Sequence, residues 1–440
     1  MKKFFILCLA FVALTATVQG QTRYSGYYKD LFMDSGIALN TLEELPAAQF
    51  LNLSMESIRT YDSGTKIPAT EYETELMHNV FVGSEIDENG ILLYPDGAAR
   101  FRVIYVNGGK STTHGKNLTA DGVENFRRFV AGGGSYVGTC AGAFFASKGT
   151  FNEKEGTYKD NPDYAGIWPG YTVGTKLSKS ATSLTVEKKS PLLKYYDFGG
   201  DRMIDSVRHN GGCFMHTANA PKGTEVLLRF VGDTLNLKRS IHQEVNAWAY
   251  KADEYTGRVV VTGSHPEKMV SGDRLEMFAG MIRYAMEGNG APRIKGELQN
   301  GETRIMTLRS HDKLPEFTAI GDRQFHHFTF KVPKGAKQVR IDLKPDKGYA
   351  DFDLFLFAGF DGPVFNDNAK YHNVELGAEK SLYIDAPKAG LLYISVFCFT
   401  TVDTVVTKNG EQYTGRVEVL NGVPYTITAT VLDEPEVYSK

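Results

Sequence analysis

From about Arg23 to Gly290 two apolar patterns alternate along the chain. Short runs such as "DLFMDSG" and "RFRVIYVNGG" end in glycines or small residues and predict strands. Between them, "TLEELPAAQFLNL" predicts a helix that has Pro46 in its first turn or at a kink. In "LTADGVENFRRFVAGGG", Thr119 is a candidate N-cap and Val123, Phe126, Phe129 and Val130 share one helical face. The three glycines after it stop the helix. "SYVGTC" and "GRVVVTGSH" predict two more strands, the second fully buried. After it, Leu275, Phe278, Ile282 and Ala285 form one apolar stripe. Short apolar strands alternating with amphipathic helices predict an α/β fold, a parallel sheet covered on both faces. In such sheets reactive groups gather at the carboxyl ends of the strands.

The texture changes near residues 290–295. Beyond Pro292 the chain is a series of short alternating segments, among them "HHFTFKV", "QVRIDLKP", "FDLFLFAG" and "PYTITATV". Turn signals such as "PKGAK" and "KNGEQ" separate them, which predicts an all-β sandwich. The pattern therefore divides the chain into an α/β domain over 21–291 and a β-sandwich domain over 292–440.

Composition narrows the partners. The 440 residues carry 49 Lys and Arg against 52 Asp and Glu, a net charge of -3, so no electrostatic footprint for nucleic acid is present. The opening "MKKFFILCLAFVALTATVQG" has two lysines, an apolar run and small residues before Gln21, the pattern of a secretory signal peptide over 1–20. A membrane anchor is the alternative, but the run is short for a span, and no other stretch is apolar enough to cross a bilayer. The expectation is an exported, periplasmic or extracellular protein without a membrane span. Loss of the leader removes Cys8 and leaves Cys140, Cys213 and Cys398, an odd number, so at least one thiol is unpaired within the chain. No CxxC or HExxH string occurs, and neither a metal nor a cofactor is assigned.

Three stretches carry the candidate chemistry. "GSYVGTCAGAFFASKG" reads as strand, tight turn of small residues, then a short helix, with Cys140 at the turn. A nucleophile held in a strained backbone needs small neighbours, and a following helix N-terminus favours a thiolate. A buried core thiol, or a Cys140–Cys213 disulfide favoured by export, stands as the alternative. "VNGGK" places adjacent glycines, Gly108 and Gly109, after a strand, where backbone amides can approach a reacting carbonyl; a plain turn gives the same string. "GSHPE" places His265 at a strand end, with Glu267 two residues on to orient it; a surface-loop histidine is the other reading.

Taken in chain order, strand–GG, G-x-C-x-G and strand–HPE resemble the class I glutamine amidotransferase superfamily. Within it, "RFRVIYVNGG" with "GGGSYVGTCAGAFFAS" is most similar to the biotin–protein-ligase N-terminal-like group, over roughly residues 27 to 290. The resemblance implies a flavodoxin-like parallel sheet with a nucleophile elbow. It makes Cys140 the nucleophile, His265 the base and then acid, and Glu267 the orienting carboxylate. The amides of Gly109 and Ala141 would form the oxyanion hole. Ala143, Phe144 and Phe145 stand where glutamine-using members usually carry a glutamine, and no synthetase domain to receive ammonia is recognisable. What remains is acyl chemistry on an amide or related bond of a small-molecule or peptide-like substrate.

Further polar residues are candidates for substrate contact. Arg208, His209 and Asn210 in "RHNGGCF" line a pocket or a sheet-edge turn, and Glu244 in "SIHQEVNAW" contacts substrate or solvent. Gly108 joins Asn210 and Glu244 in the substrate-binding set. "KDNPDYAGIWPGY" reads as a loop over the cleft. The C-terminal strands resemble the β-sandwiches of pre-peptidase C-terminal type, in which Asp351 and Asp353 stand before an apolar strand as solvated carboxylates or calcium ligands. That module would stabilise the enzyme, contact a polymer surface or mediate assembly. The readings that follow are an exported Cys-His-Glu hydrolase, a non-catalytic binding protein on the same scaffold, and a redox-modified thiol protein.

Overall fold

The computed structural model describes residues 26–34, 45–58, 81–232, 240–407 and 410–438. The proposed leader lies outside the described residues. Nine strands form the first sheet. Four of them precede or flank the nucleophile turn: β1 (Lys29–Asp34), β2 (Met55–Ile58), β3 (Phe101–Val106) and β4 (Ser135–Thr139). A separate four-stranded sheet holds β5 (Ser147–Asn152), β6 (Thr157–Asp160) and β7 (Trp168–Gly174). The first sheet resumes with β8 (Ser180–Val186) and β9 (Met203–His209); β10 (Cys213–Met215) completes the small sheet. β11 (Glu225–Val231), β12 (Val245–Tyr250) and β13 (Val259–Thr262) finish the large one, whose order is β2-β1-β3-β4-β13-β12-β11-β8-β9.

Only half of that sheet is parallel. β2, β1, β3, β4 and β13 run parallel, whereas β13, β12, β11, β8 and β9 pair antiparallel. The expectation of a flavodoxin-like parallel sheet is thus corrected to a mixed sheet. Burial explains the division. β3, β4 and β13 are buried at every position, as strands covered on both faces must be. β8, β9 and β11 mix buried with half-buried or exposed positions, and antiparallel strands tolerate a wetter face.

Helices cover both faces. α1 (Pro46–Phe50) begins with Pro46 at its first position, where the missing N–H costs nothing. α2 (Ser111–Ala131) starts eight residues before Thr119, which interrupts it with φ 63° and makes no capping bond. α3 (Ala141–Ala146) follows the cysteine, and α4 (Asp273–Met286) follows β13. α1 and α4 share a core with Leu31, Val103, Tyr105 and Val260; α2 and α3 share the opposite core with Phe32, Ile104, Tyr136 and Val261. Alternate residues of one strand therefore feed two different cores.

Beyond residue 293 two sheets enclose a third core. Ile294–Leu298, Phe325–Val332, Gly390–Cys398, Leu354–Gly359 and Tyr371–Asn373 form one, in that order. Thr303–Met306, Tyr425–Leu432, Gln338–Pro345 and Lys380–Asp385 form the other. Phe328, Leu356, Ile394, Ile341 and Ile427 meet between them. Asp351 pairs with Arg416 at 2.7 Å and Asp353 accepts the Gly377 amide at 2.7 Å, so both carboxylates have protein partners.

Charged contacts join the sandwich to the first sheet. Arg100 is only 2% exposed and reaches Asp322 at 3.2 Å and Asp87 at 3.5 Å, while its guanidinium lies against the rings of Tyr28 and Tyr413, 4.4 Å and 5.1 Å from their centres. Lys295 reaches Asp96 at 2.7 Å. Burial lifts Asp87 to about 7 against the opposing pull of Arg100. Removal of one partner from a buried pair strands the other charge in a low dielectric. Arg100→Ala is therefore expected to lower the unfolding free energy by about 3–5 kcal/mol, read from denaturant midpoints at unchanged m-value.

Candidate functional site

Cys140 stands in the turn between β4 and α3 with φ 48° and ψ -100°, a region that side chains rarely adopt. Its amide donates to Thr262 O at 2.9 Å, which ties the turn to the end of β13. The small residues around it have a steric cause. A methyl group at Gly142 would lie 2.1 Å from the Val106 carbonyl oxygen, so only glycine fits against β3. The first amides of α3, beginning with Ala141, have no intrahelical acceptor.

His265 and Glu267 arrive from the end of β13. His265 Nδ1 and Glu267 Oε1 are 2.9 Å apart, with side-chain exposures of 11% and 10%. His265 N donates to Arg208 O at 2.8 Å. Its Nε2 is buried and takes no hydrogen bond among the described residues. Gly108 lies between the two side chains: a methyl group there would be 2.3 Å from His265 Cε1 and 3.3 Å from Cys140 Cβ. Gly109, next along, is exposed with φ 151°. Burial alone would push the imidazole down, but Cys140 beside it and the hydrogen-bonded Glu267 carboxylate outweigh it and raise His265 to about 10.

The sulfur is covered. Cys140 is 4% exposed, and its Sγ donates to the Asn210 carbonyl at 3.6 Å. Asn210 thus meets the cysteine through its main chain, while its side chain accepts from Lys179 N at 2.9 Å. Glu244 is half-buried before β12, where its charge acts on His216. The 159–171 segment packs on the helices at Ala165, whose N donates to Phe145 O at 2.8 Å and whose O accepts from Arg127 Nε at 2.8 Å. Cys140, Cys213 and Cys398 are each free and buried, so the structure contains no Cys140–Cys213 bridge. Among the described residues no group of three or more His, Cys, Asp or Glu is arranged to hold a metal ion.

Two neighbours escaped the sequence reading. Tyr105 lies deep on β3, its hydroxyl 3.0 Å from Thr139 Oγ1; burial first, then the charges of Glu267 and Cys140, push its pKa well up. Its apolar-strand setting gave no signal of proximity to the site. Ser264, fully buried beside His265, bonds to His209 Nδ1 at 3.0 Å and to Asn246 Nδ2 at 2.9 Å. Its place inside "GSHPE" was the available hint.

Residues 74–280 match the family model described as biotin-protein ligase, N terminal. No curated protein matches the chain by sequence. Among solved structures, a glutamine amidotransferase shares 15% identity and covers 58% of this chain and 98% of its own, with a TM-score of 0.34. A GMP synthase protein from Thermoplasma acidophilum shares 11% and covers 60% and 96%, with a TM-score of 0.35. The pre-peptidase C-terminal domain of Bacillus anthracis collagenase shares 12% and covers 32% and 100%, with a TM-score of 0.18. The sequence match over residues 74–280 makes this region similar to the biotin-protein ligase N-terminal family.

Proposed function

We propose that the protein is a cysteine-dependent hydrolase that cleaves an amide or related acyl bond through a thioester on Cys140. The observation that carries the reading is the meeting of Cys140 with the His265–Glu267 pair around Gly108. In the proposed reaction the Cys140 thiolate attacks the substrate carbonyl carbon while His265 holds the proton. The Gly109 and Ala141 amides face the oxyanion. Collapse of the adduct breaks the bond to the leaving group, which takes the proton from His265. Neutral His265 then draws a proton from water, hydroxide adds to the thioester, the C–S bond breaks, and acid and free cysteine result. Glu267 keeps the imidazole oriented through Nδ1. Substrate entry requires the Asn210 carbonyl to leave the sulfur, so the turn after β9 borders the substrate together with Gly108.

Coverage of the sulfur favours a second reading, a non-catalytic small-molecule or surface-binding protein on the same scaffold. We further propose export, with a leader over 1–20 removed before Gln21. On the same reading the mature chain comprises an α/β domain over 21–291 and a sandwich over 292–440 that contacts a polymer or surface.

Turnover of thiol-reactive acyl and amide probes separates the two readings. Cys140→Ala is expected to abolish turnover while the melting temperature persists; equal turnover by the variant and the unaltered protein rejects the nucleophile. His265→Ala is expected to slow turnover by roughly 10²–10⁴-fold and to slow alkylation of Cys140 near neutral pH; equal alkylation rates count against the pairing. The raised His265 also sets a stability window. Its folded value of about 10 lies above the ordinary 6.5, so its contribution is complete below pH 6.5 and is lost as pH rises through about 10. The melting-temperature gap between the unaltered protein and His265→Ala is expected to be widest below pH 6.5 and to narrow towards pH 10. A gap constant with pH contradicts the assignment.

A further inference from the structure

The turn Arg208–Gly212 touches both candidate reacting residues through main-chain atoms. Arg208 O accepts the His265 amide at 2.8 Å, and Asn210 O accepts from Cys140 Sγ at 3.6 Å. Between these two residues His209 is fully buried with both ring nitrogens engaged: Nε2 at 2.8 Å from Thr175 Oγ1 and Nδ1 at 3.0 Å from Ser264 Oγ. Donor counting fixes the protons. Thr175 Oγ1 gives its single proton to the Gly212 carbonyl at 2.9 Å, which can only accept, so it must receive the Nε2 proton of His209. A neutral ring protonated at Nε2 leaves Nδ1 as an acceptor, and Ser264 donates to it. Ser264 Oγ accepts from Asn246 Nδ2 at 2.9 Å, and Asn246 Oδ1 accepts from Thr262 Oγ1 at 2.7 Å. The donors thus run in one direction from Thr262 at the end of β13, through Asn246 on β12, to the turn over the sulfur. Burial and the neighbouring His265 charge hold His209 near 4, in keeping with that neutral ring.

We propose that His209 is a positioning residue for the Cys140–His265 pair, holding the Arg208–Gly212 turn so that one carbonyl seats His265 and another rests on the sulfur. The inference rests on the cysteine-hydrolase reading. His209 acts through the turn, whose main chain is also held by the β8 pairing and by Gly211 N–Leu177 O and Thr175 N–Gly212 O; its ring bonds neither side chain, and its removal loosens the seating of both carbonyls. The same anchoring sets how far the turn opens, and with it access to Cys140.

The test is the pH profile of Cys140 alkylation by iodoacetamide on the full chain, resolved by peptide mass from Cys213 and Cys398. The midpoint reads pairing with His265, and the high-pH plateau reads access to the sulfur. His209→Phe is expected to move the midpoint by about one unit towards the His265→Ala profile, a roughly tenfold effect at fixed pH below it, and to raise the plateau several-fold. His209→Asn, whose side-chain oxygen can still accept from Ser264, is expected to recover part of both. Thr175→Val and Ser264→Ala each break one side of the ring's anchorage and are expected to shift the profile in the same direction, which keeps the test decisive if the Phe variant does not fold. Midpoint and plateau unchanged in the folded variants, alongside a shifted His265→Ala profile, overturn the positioning role alone. An unshifted His265→Ala profile removes the hydrolase reading, and the inference with it.

Discussion

The site depends on close approach between main chains. β3, β4 and β13 lie side by side, and their carboxyl ends deliver Gly108, Cys140 and His265 to one place. No side chain could occupy position 108 without displacing the imidazole, and none could occupy 142 without displacing β3. The constraint is steric before it is chemical. The positive φ at Cys140 costs about 1–3 kcal/mol and persists because the Thr262 carbonyl and the packed helix behind it over-determine the turn.

Two histidines beside this turn show how environment assigns charge. His265 and His209 are both largely buried, which alone would keep each neutral. His265 has a carboxylate and a thiol for partners and is raised to about 10. His209 has hydroxyl partners, one of which must donate to it, and is lowered to about 4. One ring is thereby suited to carry a proton in the proposed chemistry, the other to hold a fixed shape. Behind them the Arg100–Asp322–Asp87 cluster joins the sandwich to the same sheet by buried charge, so the two regions meet through specific pairs as well as apolar contact.

The cover over the sulfur bears on both functional readings. A carbonyl facing Sγ satisfies a thiol, whereas an attacking thiolate needs donors in its place. The turn that supplies this carbonyl is anchored by the pairing of β9 with β8, by main-chain bonds at Gly211 and Gly212 and by the side-chain bonds of His209, and Asn210 itself is exposed. On the proposed reading, the carbonyl over the sulfur is the part of the site that would have to give way before Cys140 could meet a substrate.

The sequence by itself determined what is local. Glycines after apolar runs marked the strand ends, the 3.6-residue spacing of Val123, Phe126 and Phe129 and of Leu275, Phe278 and Ile282 marked the helices, and the change of texture near 290 separated the helical region from the all-β one. Chain order made Cys140, His265 and Glu267 a candidate set. Tertiary structure decided what depends on pairing between remote segments. The antiparallel half of the large sheet was hidden because apolar runs look alike whichever way their neighbour points. The helix before Thr119 was hidden because its polar sequence carries no apolar stripe until the fold packs it. Asn210, Ser264 and Tyr105 acquired their places from hydrogen bonds and burial spanning tens of residues, and such contacts leave no local periodicity to read.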